Sequence, residues 1–177
     1  MVDKVEMTAK AFFDLPESML PQELIHGELI VSPAPIPDHQ RAVFRLAKLL
    51  ESLIPDGEVL LAPLDVYFDD ENIVQPDVIW IAENSQCKIE AKYLRGAPDL
   101  VIEVHSPGTV WLDKSAKFSL YEKHGVREYW MIDLEGQLAE IWFRQDNRFQ
   151  RLGVFRSDEH FESPLLQKDV SGDAIFP

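Results

Sequence analysis

The chain has 177 residues, 46% of them hydrophobic and 27% charged, and a formal net charge of -14. That size and balance suit one soluble globular domain, 1–177, with its own core, and no apolar run approaches the ~20 residues that cross a bilayer. Such acidity argues against tight non-specific DNA binding, which rests on many lysine and arginine contacts to phosphate, although a metal ion or a local basic patch can offset the global field.

From the N-terminus, MVDKVEMTAKAFFDL is too interrupted by charge for a signal peptide. Thr8 predicts the cap of a short helix, AKAFFDL, that Pro16 stops. ELIHGELIVSP reads as a hairpin about His26–Gly27, and Pro33, Pro35 and Pro37 make an extended connection. Asp38 is the expected N-cap of a helix, HQRAVFRLAKLLESLI, with an apolar stripe of Val43, Leu46, Ala47, Leu50 and Leu53. Arg41, Arg45 and Lys48 form a separate basic stripe, either a phosphate grip or a solvated face.

EVLLAPLDVYF is strand material broken by Pro63, and NIVQPDVIWIA is the next strand. CKIEAKYLRG predicts a short helix ending at Gly96. Cys87, the one cysteine, excludes an intramolecular disulfide and a thiolate-rich zinc site, and fits a reducing, cytoplasmic setting. DLVIEVH is a strand, Thr109 to His124 a helix closed by Gly125, and REYWMID a second strand, which together predict a parallel crossover. QLAEIWFR and RFQRLGVF continue as antiparallel strands, and beyond Ser157 the signals weaken. The sum is an α/β (α+β) domain with a mixed sheet and antiparallel hairpins.

The chemistry concentrates between Gln75 and Tyr121. Side chains alternate along a strand, so Asp99, Val101, Glu103 and His105 share a face, as do Asp77, Ile79 and Ile81. Asp77 begins its apolar run and Glu103 ends its own. If the two strands are antiparallel neighbours, the acids meet. Carboxylates that close need a cation between them, and hard oxygen ligands favour Mg²⁺ or Mn²⁺. On the following helix Lys114, Lys117 and Tyr121 share a side, and Lys117 could orient a water or stabilise developing phosphate charge. The alternative is an ordinary salt bridge between a sheet acid and a helix lysine. Asp99, after Pro98, suits strand entry. Asp113 pairs with Lys117 at i,i+4 or is solvated. Trp80, Tyr129, Trp130 and Trp142 read as core or interface. There is no phosphate-binding glycine loop and no nucleophile elbow.

The segments ELIHGELIVSPAP, DHQ, GEVLLAPLDV, QPDVIWIA, GAPDLVIEVHSP, DKSAKFSLY and GVREYWMID, in that order, resemble the Uma2 family, one of the restriction-endonuclease-like PD-(D/E)xK nucleases. The resemblance implies a mixed sheet flanked by helices and Mg²⁺-dependent phosphodiester hydrolysis. It makes Asp77 and Glu103 the two motif acids and metal ligands, with the Val104 carbonyl as a further ligand. The lysine usual two residues after the second acid is replaced by His105, and Lys117 stands in for it. The resemblance also suggests Glu28 as a third acid. It offers His39 and Gln40 as substrate contacts, as residues that orient Glu28, or as helix-start residues; Arg41 and Tyr121 are further substrate-contact candidates. The expected function is therefore a metal-dependent endonuclease acting on nucleic acid, DNA in the first instance. YWMI and AEIWF would supply a homodimer interface. A non-catalytic binding or scaffold module with the same fold is the rival, and a hydrolase of a smaller phosphodiester is a third reading.

Overall fold

The computed structural model describes residues 7–105 and 113–176, and of positions 113 and 114 the backbone only. The expected Thr109 cap, the start of its helix and the side chains of Asp113 and Lys114 lie outside the described residues. Helix α1 (Ala9–Phe13) is capped by Thr8, whose Oγ1 accepts the Ala11 N–H at 3.3 Å. Strands β1 (Gln22–Ile25) and β2 (Glu28–Val31) form the expected hairpin. His26 (φ 51°) and Gly27 (φ 73°) make its turn, the left-handed pair that matches strand twist in a two-residue hairpin.

Helix α2 (Pro37–Leu53) begins with Ile36 in the cap position. Pro37 sits where a missing N–H costs nothing, so Asp38 falls inside the first turn and pairs with Arg41 at 2.5 Å instead of capping. Ala42, Leu46, Ala47 and Leu50 are its buried residues.

Prolines divide the strand material between two sheets. Pro63 separates β3 (Glu58–Leu61) from β4 (Val66–Asp69), and Pro76 separates β5 (Asn72–Val74) from β6 (Val78–Ile81). The sequence predicted one strand across Pro76, but proline has no N–H for an interior ladder, and the chain crosses there from one sheet to the other. The helix predicted over CKIEAKYLRG is instead a small hairpin, β7 (Lys88–Ile89) and β8 (Leu94–Arg95). Leu94 is buried and its N–H donates to the Asp65 carbonyl at 2.8 Å, so sheet pairing overrides the helix propensity of Glu, Ala and Lys.

Strand β9 (Leu100–His105) comes next. A π-helical turn, Asp113–Lys117, runs into α3 (Phe118–His124), which Gly125 (φ 97°) closes. Then follow β10 (Glu128–Asp133), β11 (Leu138–Gln145), β12 (Arg148–Arg156), β13 (His160–Ser163), β14 (Lys168–Ser171) and α4 (Gly172–Ile175).

One six-stranded sheet has the order β2-β1-β5-β4-β8-β7, the other β12-β11-β10-β9-β6-β3, and β13 pairs with β14. Both large sheets are mixed. The predicted crossover is the parallel pair β9–β10, and β6 lies antiparallel on the other side of β9. On one face of this central sheet Val78, Leu100, Ile102 and Trp130 pack on Leu46 and Leu50 of α2 and on Phe161 and Ile175 of the tail. On the opposite face Ile79, Val101 and Tyr129 pack on Leu120 and Tyr121 of α3 and on Ile25 and Val66 of the other sheet. The YWMI segment expected at a dimer interface is inside β10, and all four of its side chains are buried in this core.

The tail is pinned by Glu128, which is 0% exposed. Its Oε1 accepts from Trp130 Nε1 at 2.7 Å and Ser163 Oγ at 2.7 Å, and Oε2 accepts the Leu165 N–H at 2.8 Å. Burial raises its pKa, and the hydrogen bonds pull the other way. The folded protein therefore holds this proton more tightly than the unfolded chain. The stability it contributes is full below the unfolded pKa and is lost as pH rises through the folded one. Glu128→Gln removes that titration but offers one acceptor oxygen where two are used, at a cost of about 1–3 kcal/mol. Urea unfolding at about pH 5 and about pH 8 is expected to show a less stable variant with a smaller pH difference than the parent.

Candidate active site

The site lies where Pro76 passes the chain between sheets. In the β6–β9 ladder Val78 faces Ile102 and Ile79 faces Val101. One step further along that register, Asp77 is opposite Glu103, as the antiparallel expectation requires. Asp77 Oδ2 accepts the Val104 N–H at 2.7 Å, and Oδ1 stands 3.2 Å from His39 Nε2 in the first turns of α2. Asp77, Glu103, Val104, His39, Gln40 and Lys117 all line one cavity of about 830 Å³.

Glu103 is 3% exposed. Its Oε1 accepts from Lys117 Nζ at 3.0 Å and from Tyr121 Oη at 2.6 Å. Lys117 precedes α3 and Tyr121 lies one turn later, so both reach the end of β9 that carries the acid. The same lysine nitrogen is 2.8 Å from Glu23 Oε1, which also accepts the Gln75 N–H at 2.8 Å. Gln75 Nε2 in turn donates to Asp65 Oδ1 at 2.8 Å. Desolvation raises the Asp65 pKa, the Gln75 bond opposes this, and the charge of Glu23 adds to it. Burial, with the charge of Glu103 next, holds the Tyr121 phenol well above its usual range, so it remains a donor.

The structure thus brings together Asp77, Glu103, Lys117, Val104, His39 and Gln40. It does not bring in Glu28, which is exposed on β2 and outside the cavity lining. The carboxylate supplied by the hairpin is Glu23, one strand away. Arg41 is directed to Asp38 at the surface. Tyr121 is 0% exposed, so it can hold Glu103 but cannot touch a substrate. Asp99 is at the far end of β9, where Oδ2 accepts the Ala82 N–H at 3.0 Å and Oδ1 pairs with Arg127 at 3.1 Å. His105 is buried at the end of β9. Cys87 is buried, and desolvation lifts its thiol to about 11, which removes it as a nucleophile.

Glu23, Gln75 and Asp65 were missed from the sequence. ELI occurs on both hairpin strands, and only the strand inside the sheet buries its acid, a choice the local pattern does not reveal.

The comparisons with known proteins address the same span. A family model described as "Putative restriction endonuclease" matches residues 9–174. The chain belongs to the Uma2 family. An uncharacterized protein of Synechocystis sp. is 30% identical over 146 residues, covering 68% of this chain and 82% of that protein. The crystal structure of a "putative nuclease belonging to DUF820" from Anabaena variabilis superposes with a TM-score of 0.79 at 22% identity, covering 96% of this chain and 97% of that one. At that identity the likeness is one of fold.

Among the described residues no three His, Cys, Asp or Glu side chains form a ready cage for a metal ion. The donor set nonetheless fits Mg²⁺ or Mn²⁺. Such ions are commonly held by one or two carboxylates, with water and substrate phosphate completing the shell, and Asp77 and Glu103 offer hard oxygens into a single cavity.

Proposed function

We propose that this chain, acting as one domain, is a metal-dependent nuclease that hydrolyses phosphodiester bonds of nucleic acid. The observation that carries the reading is the convergence of Asp77, Glu103 and Lys117, distant in sequence, on one cavity. Asp77 and Glu103 would hold Mg²⁺ or Mn²⁺, with the Val104 carbonyl beside them. The ion would polarise the scissile phosphate and lower the pKa of its bound water.

The rest is done by the chain's own groups. The Val104 N–H fixes one oxygen of Asp77, and His39 stands at the other. Tyr121 holds Glu103 in place from the buried side. Lys117 supplies the positive charge that steadies an attacking water and the charge growing on phosphate. Its amine stands 3.0 Å from Glu103 Oε1, beside the carboxylates that would hold the ion.

A second reading has its own observation. Lys117 is 5% exposed and bonded to two acids, an arrangement that also serves as a buried tie between the two sheets in a non-catalytic module. Purified protein incubated with plasmid, single-stranded DNA and RNA in Mn²⁺ separates the two. Cleavage that stops on chelation is expected. Absence of cleavage together with absence of calorimetric Mn²⁺ binding would favour the module.

A further inference from the structure

The cavity mouth is apolar. Met19, 99% exposed, stands there with Leu20, Ile36, Phe44 and Leu61, all exposed. They come from the loop before β1, the connection into α2, α2 itself and the end of β3. A contiguous apolar rim around a polar floor marks a surface that something covers. The floor is acidic, from Glu23, Asp77 and Glu103. Among the described residues of the lining there is one lysine, Lys117, and no arginine, and that lysine is bonded to Glu23 and Glu103.

The basic side chains of α2 do not alter this. Arg41 pairs with Asp38, and Arg45 donates to the Phe176 carbonyl at 3.1 Å. Lys48 Nζ lies 5.6 Å from the centroid of the Phe44 ring. A duplex presents phosphates outward and bases inward, so its grip depends on several neutralising lysines and arginines. Among the described residues the wall gathers no such cluster, and Lys48 alone stands near it. An unpaired strand presents base faces, which stack on aromatic and apolar side chains whatever the sequence. Phe44, 62% exposed, provides such a ring, and Lys48, whose Nζ stands over it 5.6 Å from the centroid, is placed to meet a neighbouring phosphate. A volume of about 830 Å³ is also in the range of pockets that enclose small ligands, roughly 300–1,000 Å³.

We propose that the site takes unpaired polynucleotide, a single-stranded end or loop whose bases lie against Phe44, Ile36 and Met19, and that duplex DNA is not its substrate. This rests on the nucleic-acid reading above and narrows it.

The test is fluorescence anisotropy on the full chain in chelator, so that nothing is cut. Labelled single-stranded DNA, single-stranded RNA and duplex of the same sequence, about twelve nucleotides long, are the probes. Single strands are expected to bind at least about tenfold more tightly than duplex, with a shallow salt dependence. Phe44→Ala is expected to weaken single-strand binding about tenfold and leave duplex binding unchanged, and thermal melting checks that this exposed substitution leaves the fold intact. The DNA and RNA arms tell which sugar is preferred. Duplex binding as tight as single-strand binding overturns the inference, as does a Phe44→Ala variant that binds single strands like the parent. So does self-association that Phe44→Ala abolishes while the probes bind alike, since a second copy would then cover the rim. Binding is read apart from cleavage. A chain that binds single strands and cuts none keeps this inference and loses the catalytic one, whereas a chain that cuts duplex does the reverse.

Discussion

Lys117→Met is expected to lose both activity and stability. The lysine nitrogen is 2.8 Å from Glu23 Oε1 and 3.0 Å from Glu103 Oε1, and both acids are buried. Methionine comes within one atom of the lysine side chain's length and removes its charge. Two carboxylates are then left facing each other in a medium where neither is well solvated. Removing one partner of a buried ion pair costs about 3–5 kcal/mol. Nucleic-acid cleavage should fall about 10²–10³-fold, the usual cost of removing a group that stabilises transition-state charge.

Stability and chemistry are separated by adding Glu23→Gln, which takes away one of the opposed charges. The double variant should regain much of the melting temperature, because the two sites share one network and their effects do not add. It should not regain cleavage. If the double variant regains both, Lys117 is a structural tie and the water-steadying role assigned to it is lost.

The parts of this site that alternation controls were legible in the sequence. A period of two along DLVIEVH and QPDVIWIA puts Glu103 with Val101 and Asp77 with Ile79, and the antiparallel β6–β9 ladder makes those faces one face. Helical spacing likewise carried Lys117 and Tyr121 to the same side. What alternation does not specify is which strand lies inside a sheet. Glu23 and Glu28 sit on the same face of the hairpin, since Glu23 is opposite Ile30 and Glu28 is opposite Ile25. β1 has partners on both sides, β2 and β5, whereas β2 is an edge. The long-range pairing of Leu24 with Ile73 decides the matter, and no local pattern carries it.

The two misread segments have the same origin. Lys88 to Arg95 has the composition of a helix, but sheet pairing with β4 claims Leu94 and Arg95. NIVQPDVIWIA reads as one strand, but Pro76 ends one ladder and the chain enters another. That break also shapes the candidate site. It places Asp77 at a junction, with its backbone carbonyl accepting from Ala62 N–H at 3.2 Å and its carboxylate turned to Val104 and His39.

Asp77→Asn, unlike Lys117→Met, is expected to separate fold from function. The amide oxygen can keep the 2.7 Å bond from Val104 N–H, and the amide nitrogen can donate to His39 Nε2 in the tautomer that leaves that nitrogen unprotonated. No buried charge is orphaned, because the Asp77 side chain is 16% exposed and no lysine or arginine pairs with it among the described contacts. The melting temperature should therefore stay within a few degrees of the parent, about 1 kcal/mol or less. Metal binding should not survive, because a neutral amide replaces one of the two anionic oxygen donors on which a hard cation depends. Titration with Mn²⁺ by calorimetry should give heat with the parent and none with the variant, and cleavage should fall at least about 10²-fold. Retained Mn²⁺ heat in Asp77→Asn would move the ion to other ligands. Among the described residues the Glu23–Lys117–Glu103 cluster is the other group of buried carboxylates in this cavity that could receive it, and Glu23→Gln would then be the variant that loses the heat.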